Sequence, residues 1–273
     1  MIEIPNLQKG DRGQKISQWQ AFLLTQGSQL EVDSDFGIQT DKATREYQRE
    51  EGLLDDGIIG ERTYELAMVA GWKTAMKPVF PHVSPRFELA HHIVWDEAGY
   101  ARRDSYGRLK VYYLGSDDGG GKYEVAGINE RYHEETVKKI MRLIQLGKHV
   151  ESEEVTALHI ADYTDGVASW SESRAVEYYL RDCAFNRGPT GAARIAQIAI
   201  GVEVDGDFGS VSKARIKDMG SDVGDLLNKL RSSREAYERM PKNGRPGRDE
   251  SSRYWKGLVN RWNNTLDLAR TFA

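Results

Sequence analysis

Glu97 is the residue whose position best suits it to move a proton. Residues 86–98 carry Phe87, Leu89, Ala90, Ile93 and Val94 at spacings of three and four, the pattern of an amphipathic helix. Gly99 follows as a C-terminal stop. Glu97 falls on the apolar stripe with Ala90, Ile93 and Val94, and Asp96 lies at its margin beside Leu89 and His92. A carboxyl partly desolvated by apolar neighbours, at the negative end of a helix dipole, has a raised pKa. That is what a general acid at neutral pH requires. A helix-end Glu that simply turns to solvent is the alternative, and periodicity alone leaves both open. Next, residues 108–127 read as a β-hairpin, with Val111, Tyr112, Tyr113 and Leu114 on one strand and Tyr123, Glu124 and Val125 on the other. Its tip, Asp117-Asp118-Gly119-Gly120-Gly121, is acidic and glycine-rich. A phosphate loop at Gly119-Gly120-Gly121-Lys122 fails, because Tyr123 follows the lysine and Ser116 holds the required upstream glycine position.

Other chemistries find less support. The six histidines, His82, His91, His92, His133, His149 and His159, form no H-E-x-x-H pair, so a zinc site would need ligands from distant positions and no metal is expected. His91 and His92 fit a surface or satisfied core position on their helix. Cys183 stands alone, which excludes an intrachain disulfide, and its apolar setting beside Tyr179, Leu180 and Phe185 reads as a small buried residue. Trp255 and Trp262, seven apart, share a helix face and read as core. Nothing in the pattern calls for a cofactor.

The elements that must position this chemistry exceed one minimal domain. The chain has 273 residues, 39% hydrophobic and 29% charged, with 26 aromatic residues to anchor cores and a mean hydropathy of -0.62. Two domains are expected. No run approaches the ~20 apolar residues of a membrane-spanning helix, so membrane insertion is not expected. Net charge is -4, which gives no global basic field for nucleic acid. The average hides an asymmetry. Residues 1–70 hold 7 Lys and Arg against 13 Asp and Glu, whereas residues 221–273 hold 11 against 7. The basic end could face an anionic polymer such as a cell wall, or be an ordinary solvated helical surface. The start, Met-Ile-Glu-Ile-Pro-Asn-Leu, lacks the n-region and h-region of a signal peptide, so synthesis in the cytoplasm is expected.

Pro78, Pro81 and Pro85 mark an extended linker, placed at 72–85 between a domain at 1–71 and another at 86–273. The first contains a self-similar pair. Asp33-Ser-Asp-Phe-Gly37 is followed by Thr40 and Ala43, and Asp56-Gly-Ile-Ile-Gly60 by Thr63 and Leu66. A third copy, Asp205-Gly-Asp-Phe-Gly209, is followed by Ser212 and Ala214. Each reads as a tight turn, an apolar plug and a helix start, with the second glycine taken to supply a backbone conformation closed to other residues. An EF-hand loop would need more acidic positions and a terminal Glu.

The spacing Leu7…Gly10…Gly13…Trp19-Gln…Gly27…Asp33…Phe36-Gly…Thr40…Ala43…Tyr47-Gln…Gly52-Leu…Asp56-Gly…Gly60…Thr63 closely resembles the small three-helix peptidoglycan-binding domain. That resemblance implies non-covalent binding to wall glycan or stem peptide. In the second domain, W-D-E-A-G-Y (Trp95 to Tyr100), D-D-G-G-G (Asp117 to Gly121), A-G-I-N (Ala126 to Asn129), A-F-N-R-G-P (Ala184 to Pro189) and R-Y-W-K-G-L-V-N-R (Arg253 to Arg261) resemble glycoside hydrolase family 108. The chain departs from that family at Ala98, where a glycine is usual, and lacks the threonine after the glycine pair. The resemblance implies a modular endolysin of mainly α fold: a three-helix wall-binding domain joined to a lysozyme-like α+β muramidase domain with a small β-hairpin. It implies Glu97 as the proton donor, Asp118 or Asp117 as the second carboxylate, and β-1,4 cleavage between N-acetylmuramic acid and N-acetylglucosamine. The separation of the two carboxylates would decide retention or inversion. Without a second carboxylate near, the product would be an anhydro sugar, as in lytic transglycosylases. Tyr100, Tyr123 and Asn186 are the candidates for lining the glycan groove; each could equally be a core or cap residue. Peptidoglycan is the expected partner and a monomer the expected state, with release to the wall after a holin opens the membrane. A non-catalytic wall-binding protein is the competing reading.

Overall fold

The structure is a computed structural model that describes residues 6–72, 80, 84–95, 103, 108–115, 121–241 and 246–273. They divide into two compact units, one containing 6–72 and the other 84–95 with everything described from Leu109 onward. Among the described residues the architecture is mainly helical, with one small antiparallel sheet. Among the described residues, no helix is long and apolar enough to cross a membrane.

In the first unit, α1 (Gln14–Thr25), α2 (Ile38–Glu50) and α3 (Glu61–Val69) enclose an aromatic core. Trp19 is fully buried. Its ring lies 5.2 Å from Phe22, 5.6 Å from Tyr47 and 4.8 Å from Trp72, and its Nε1 donates to Thr44 Oγ1 at 2.9 Å. Trp72, the first residue of the expected linker, therefore belongs to this core. Leu7 pairs with Ile59 in an isolated bridge, tying the start of the described chain to the second turn.

The repeated turns are built around a buried glutamine from the helix before each one. Gln20 Nε2 donates to Asp33 Oδ1 (2.7 Å), the Asp35 carbonyl (3.0 Å) and Thr40 Oγ1 (2.9 Å), while its Oε1 accepts the Asp33 and Ser34 N–H groups. Gln48 treats Asp56, Ile58 and Thr63 alike and accepts from the Gly57 N–H. Gln197, in the second unit, does the same for Asp205, Asp207 and the Gly206 N–H. Each aspartate also accepts a backbone N–H two residues on, an Asx turn. The plugs Phe36, Ile59 and Phe208 are buried, and Phe208 stacks on Trp170 at 4.1 Å.

The expectation for the second glycine is corrected. Gly37 and Gly209 have φ of -81° and -78°, extended backbone open to any residue. The left-handed position is instead the one after the first aspartate, with φ of 63° at Ser34, 73° at Gly57 and 86° at Gly206. There the chain must reverse so that consecutive N–H groups reach the glutamine and aspartate oxygens, a conformation that favours glycine.

The second unit starts with α4 (Pro85–Trp95), then β1 (Val111–Tyr113), β2 (Tyr123–Val125) and β3 (Ile128–Asn129). It continues through α5 (Glu134–Gln145), α6 (His149–Tyr163), a short 3-10 turn (Asp165–Val167), α7 (Arg174–Ile200), α8 (Ser210–Met219), α9 (Val223–Arg239) and α10 (Trp255–Arg270). Helix α7 runs through the core, with Tyr178, Tyr179, Leu180, Cys183 and Ala184 inaccessible. Gly188 (φ 72°, ψ 166°) and Pro189 kink it. Proline cannot donate into the helical ladder and disfavours helix in its predecessor, and glycine accepts the resulting left-handed backbone.

An ion network fastens α7 to α9 and α10. The inaccessible Asp182 carboxylate accepts from Arg234 Nη1 (2.8 Å), Arg261 Nε (3.0 Å) and Nη2, and Thr265 Oγ1 (3.0 Å). Burial alone would push its carboxyl up, but the facing guanidiniums of Arg261 and Arg234 hold it below the usual range. Trp255 and Trp262 meet edge to face at 5.6 Å in a small core with Leu258.

Candidate functional site

Helix α4, which leads to Glu97, starts at a cap the linker reading did not foresee. Ser84 Oγ accepts from the Phe87 N–H at 3.2 Å, and its carbonyl accepts from the Glu88 N–H. Pro85 occupies the first helical position, where a missing N–H costs nothing. Phe87, Leu89, Ala90, Ile93 and Val94 are buried, the face that the periodicity requires. His91 is also buried, with Nε2 3.1 Å from Glu153 Oε1 on α6. At the other end of the pair, Arg86 bridges to Asp162 (2.8 Å) and Asp165 (3.1 Å). These contacts set α4 antiparallel to α6. His92 packs against Phe272 and Tyr178. Glu97, Tyr100, Asp117 and Asp118 lie outside the described residues, as does Gly99.

The hairpin pairs Tyr113 with Tyr123, Tyr112 with Glu124 and Val111 with Val125. Alternation therefore puts Tyr113 and Tyr123 on one face with Val111 and Val125. Their rings meet edge to face at 6.0 Å; Tyr123 is half-buried and Tyr113 is 77% exposed. A third strand, not anticipated, follows from Ala-Gly-Ile-Asn. Ala126 (φ 50°) and Gly127 (φ 81°) form a tight two-residue turn that folds Ile128 and Asn129 back on β2. Gly121 packs so closely on Asn129 that a Cβ there would collide with its Oδ1, the atom that accepts the Arg131 N–H. One glycine of the tip and the asparagine of the next motif thus act as a unit.

Asn186 sits two residues before the α7 kink, half-buried. Its carbonyl accepts from Arg187 Nη1 at 3.0 Å, and Arg187 Nε donates to the buried Glu238 of α9. Glu238 also takes Arg248, so Arg187, which holds the Asn186 carbonyl, is itself tied to α9. Tyr123 and Asn186 stand on the sheet and on α7 respectively.

Sequence order concealed one cluster. His133, His159 and Tyr163 come together from the β3–α5 connection and the end of α6. Burial pushes the Cys183 thiol up to about 11, so it stays protonated and is a poor nucleophile. The acidic turns spend their Asp33 and Asp205 Oδ1 atoms on glutamine and backbone N–H groups, and those hydrogen bonds, the glutamine's first, lower both pKa values.

Residues 12–66 match the family model described as "Putative peptidoglycan binding domain". This is the three-helix core with both of its glutamine-held turns. No curated protein matches the chain. Among solved structures, the chain is similar to Brucella abortus SagA at 22% identity, covering 68% of this chain and 94% of that one with a TM-score of 0.45. It is also similar to a Burkholderia AP3 phage endolysin at 17% identity, covering 86% and 100% with a TM-score of 0.24. The N-terminal peptidoglycan-binding domain makes peptidoglycan a partner of this chain.

Proposed function

We propose that this chain is a modular cell-wall lytic enzyme in which the N-terminal unit, through Trp72, binds peptidoglycan and the second unit, from Ser84 onward, cleaves the β-1,4 bond between N-acetylmuramic acid and N-acetylglucosamine. The observation that carries the proposal is the peptidoglycan-binding match over residues 12–66, joined in one chain to a second unit whose capped helix Pro85–Trp95 buries one face and precedes Glu97 in the sequence. A binding module tethered to a catalyst raises the local concentration of an insoluble substrate. Glu97 protonates the leaving glycosidic oxygen as positive charge grows on the sugar, and Asp118 or Asp117 acts as nucleophile or base. Tyr100, Tyr123 and Asn186 line the glycan groove. Synthesis takes place in the host cytoplasm, and action on the wall follows permeabilisation of the membrane.

Purified peptidoglycan treated with wild type and with Glu97→Gln tests this reading. Loss of turbidity with wild type and its absence with Glu97→Gln supports it, whereas equal loss from both removes Glu97 from the chemistry. Binding without any lysis by wild type would leave a non-catalytic wall-binding protein. Mass analysis of the released fragments separates a reducing end from the anhydro end of a transglycosylase.

A further inference from the structure

We infer that His133, His159 and Tyr163 form a subsite for an uncharged N-acetylhexosamine ring, resting on the glycan-cleaving reading above. The three side chains are each partly exposed. His159 and Tyr163, one turn apart on α6, lie within 10° of parallel with centroids 6.3 Å apart. The His133 ring stands nearly perpendicular to both, at 4.6 Å and 5.3 Å. Beside them, Thr136 Oγ1 lies 3.2 Å from His159 Nδ1. The Tyr163 hydroxyl reaches the α7 kink, 3.7 Å from where a Cβ on Gly188 would stand. The cluster therefore joins the sheet side of the unit, through the β3–α5 connection, to the kink that carries Asn186.

The neutrality of the two imidazoles narrows the ligand class. Burial lowers the pKa of both imidazoles, and for His159 the neighbouring His133 lowers it further while Asp162 opposes. At neutral pH both rings are neutral. Two neighbouring acids are paired with cations: Asp162 with Arg86, and Glu134 with Lys138. The cluster offers aromatic rings, imidazole nitrogens that donate or accept, and two hydroxyls, those of Thr136 and Tyr163. Those groups suit a neutral ring with an apolar face and a polar rim.

The full-length protein would be titrated with tri-N-acetylchitotriose while the imidazole C–H resonances are followed by NMR. Signals of His133 and His159 are expected to move saturably, and those of His149 to stay in place. Tyr163→Leu, which removes the ring but keeps apolar bulk, should weaken binding about tenfold, while Tyr163→Phe retains most of it. On peptidoglycan, Tyr163→Leu should raise KM with kcat little changed. A matching thermal melt for the two variants excludes simple unfolding. Absence of any shift at saturating trisaccharide, or a response to inorganic phosphate instead, overturns the subsite. Trisaccharide binding by a wild type that does not cleave peptidoglycan would leave the subsite standing and remove the enzymatic reading alone.

Discussion

The two units solve the same problem with different chemistry. Each must fix polar turns and connections against the helices that enclose its core. The first unit uses neutral clamps: Gln20 and Gln48, both almost inaccessible, satisfy the turns through amide groups that carry no charge. The second unit contains one such clamp, Gln197, and adds a buried ion network in which Asp182 faces two guanidiniums. A neutral clamp costs little to desolvate and is local, joining one helix to the next turn. An ion network is expensive to desolvate but reaches across the sequence, here over 52 and 79 residues. Local turns and distant helices in this chain are therefore fastened by separate devices, so each can be broken alone.

The largest effect should come from Asp182→Asn. Removing one partner of a buried ion pair strands the other charges and costs roughly 3–5 kcal/mol. Denaturant titration should show that loss, and hydrogen exchange should place it in α7, α9 and α10 with protection in α1 to α3 unchanged. A loss under ~1 kcal/mol would mean that the arginines find solvent or another acceptor.

Leucine at the clamps comes next. Gln48→Leu leaves the Gly57 N–H, the Ile58 carbonyl and Asp56 without their buried partner, for about 1–3 kcal/mol per group left unsatisfied. Gln48→Leu should lower the melting transition of the first unit and with it retention on peptidoglycan, whereas Gln197→Leu should loosen only the α7–α8 turn. Should Gln197→Leu destabilise the second unit as much as Asp182→Asn does, the division between local and long-range fastening fails.

Acid should separate the devices in another way. His133 and His159 have lowered pKa values in the fold, so the unfolded chain takes up protons first, near 6.5. Their contribution is complete above that value and is lost as pH falls below it. Asp182, also lowered, keeps its contribution until pH falls below about 3.8. Melting followed from pH 7.5 to 5 should therefore show a decline in wild type that His159→Phe flattens and that Asp182 does not govern. A flat wild-type profile across that range would contradict neutral burial of the imidazoles.

Legibility in the sequence followed the range of the interactions. Helix α4, the hairpin and the turn repeats carry their signal within short stretches of sequence, and periodicity and turn chemistry reveal them. The partners of Asp182, of Glu153 and of His133 lie tens of residues away, and no spacing rule encodes which arginine or imidazole meets which. The glutamines were visible as Trp19-Gln and Tyr47-Gln, but only the structure shows that their amides hold the following turns. The third strand was missed because two residues give too short a run for alternation to register. Of the candidate site, the sequence singled out the sheet and kink residues Tyr123 and Asn186 but had no means of joining His133 to His159 and Tyr163.

The smallest effect tests where the turns need glycine. Gly57→Ala forces an alanine into φ 73° and sets its Cβ against the Asp41 and Arg45 side chains, which already bridge each other at 3.2 Å. Left-handed backbone costs an ordinary residue roughly 1–2 kcal/mol, and the displaced pair adds to it. Gly37→Ala meets nothing within 4 Å and keeps an extended backbone, so it should cost under ~1 kcal/mol, chiefly for a poorer helix cap. Ser34→Gly, at the matching left-handed position of the first turn, should be neutral or slightly stabilising, because relief of the φ 63° conformation is offset by the entropy glycine loses on folding. Thermal melts of the three variants rank them. If Gly37→Ala proved the worst, the helix cap, and not the reversal that delivers N–H groups to Gln20 and Gln48, would be the part of the repeat that requires glycine.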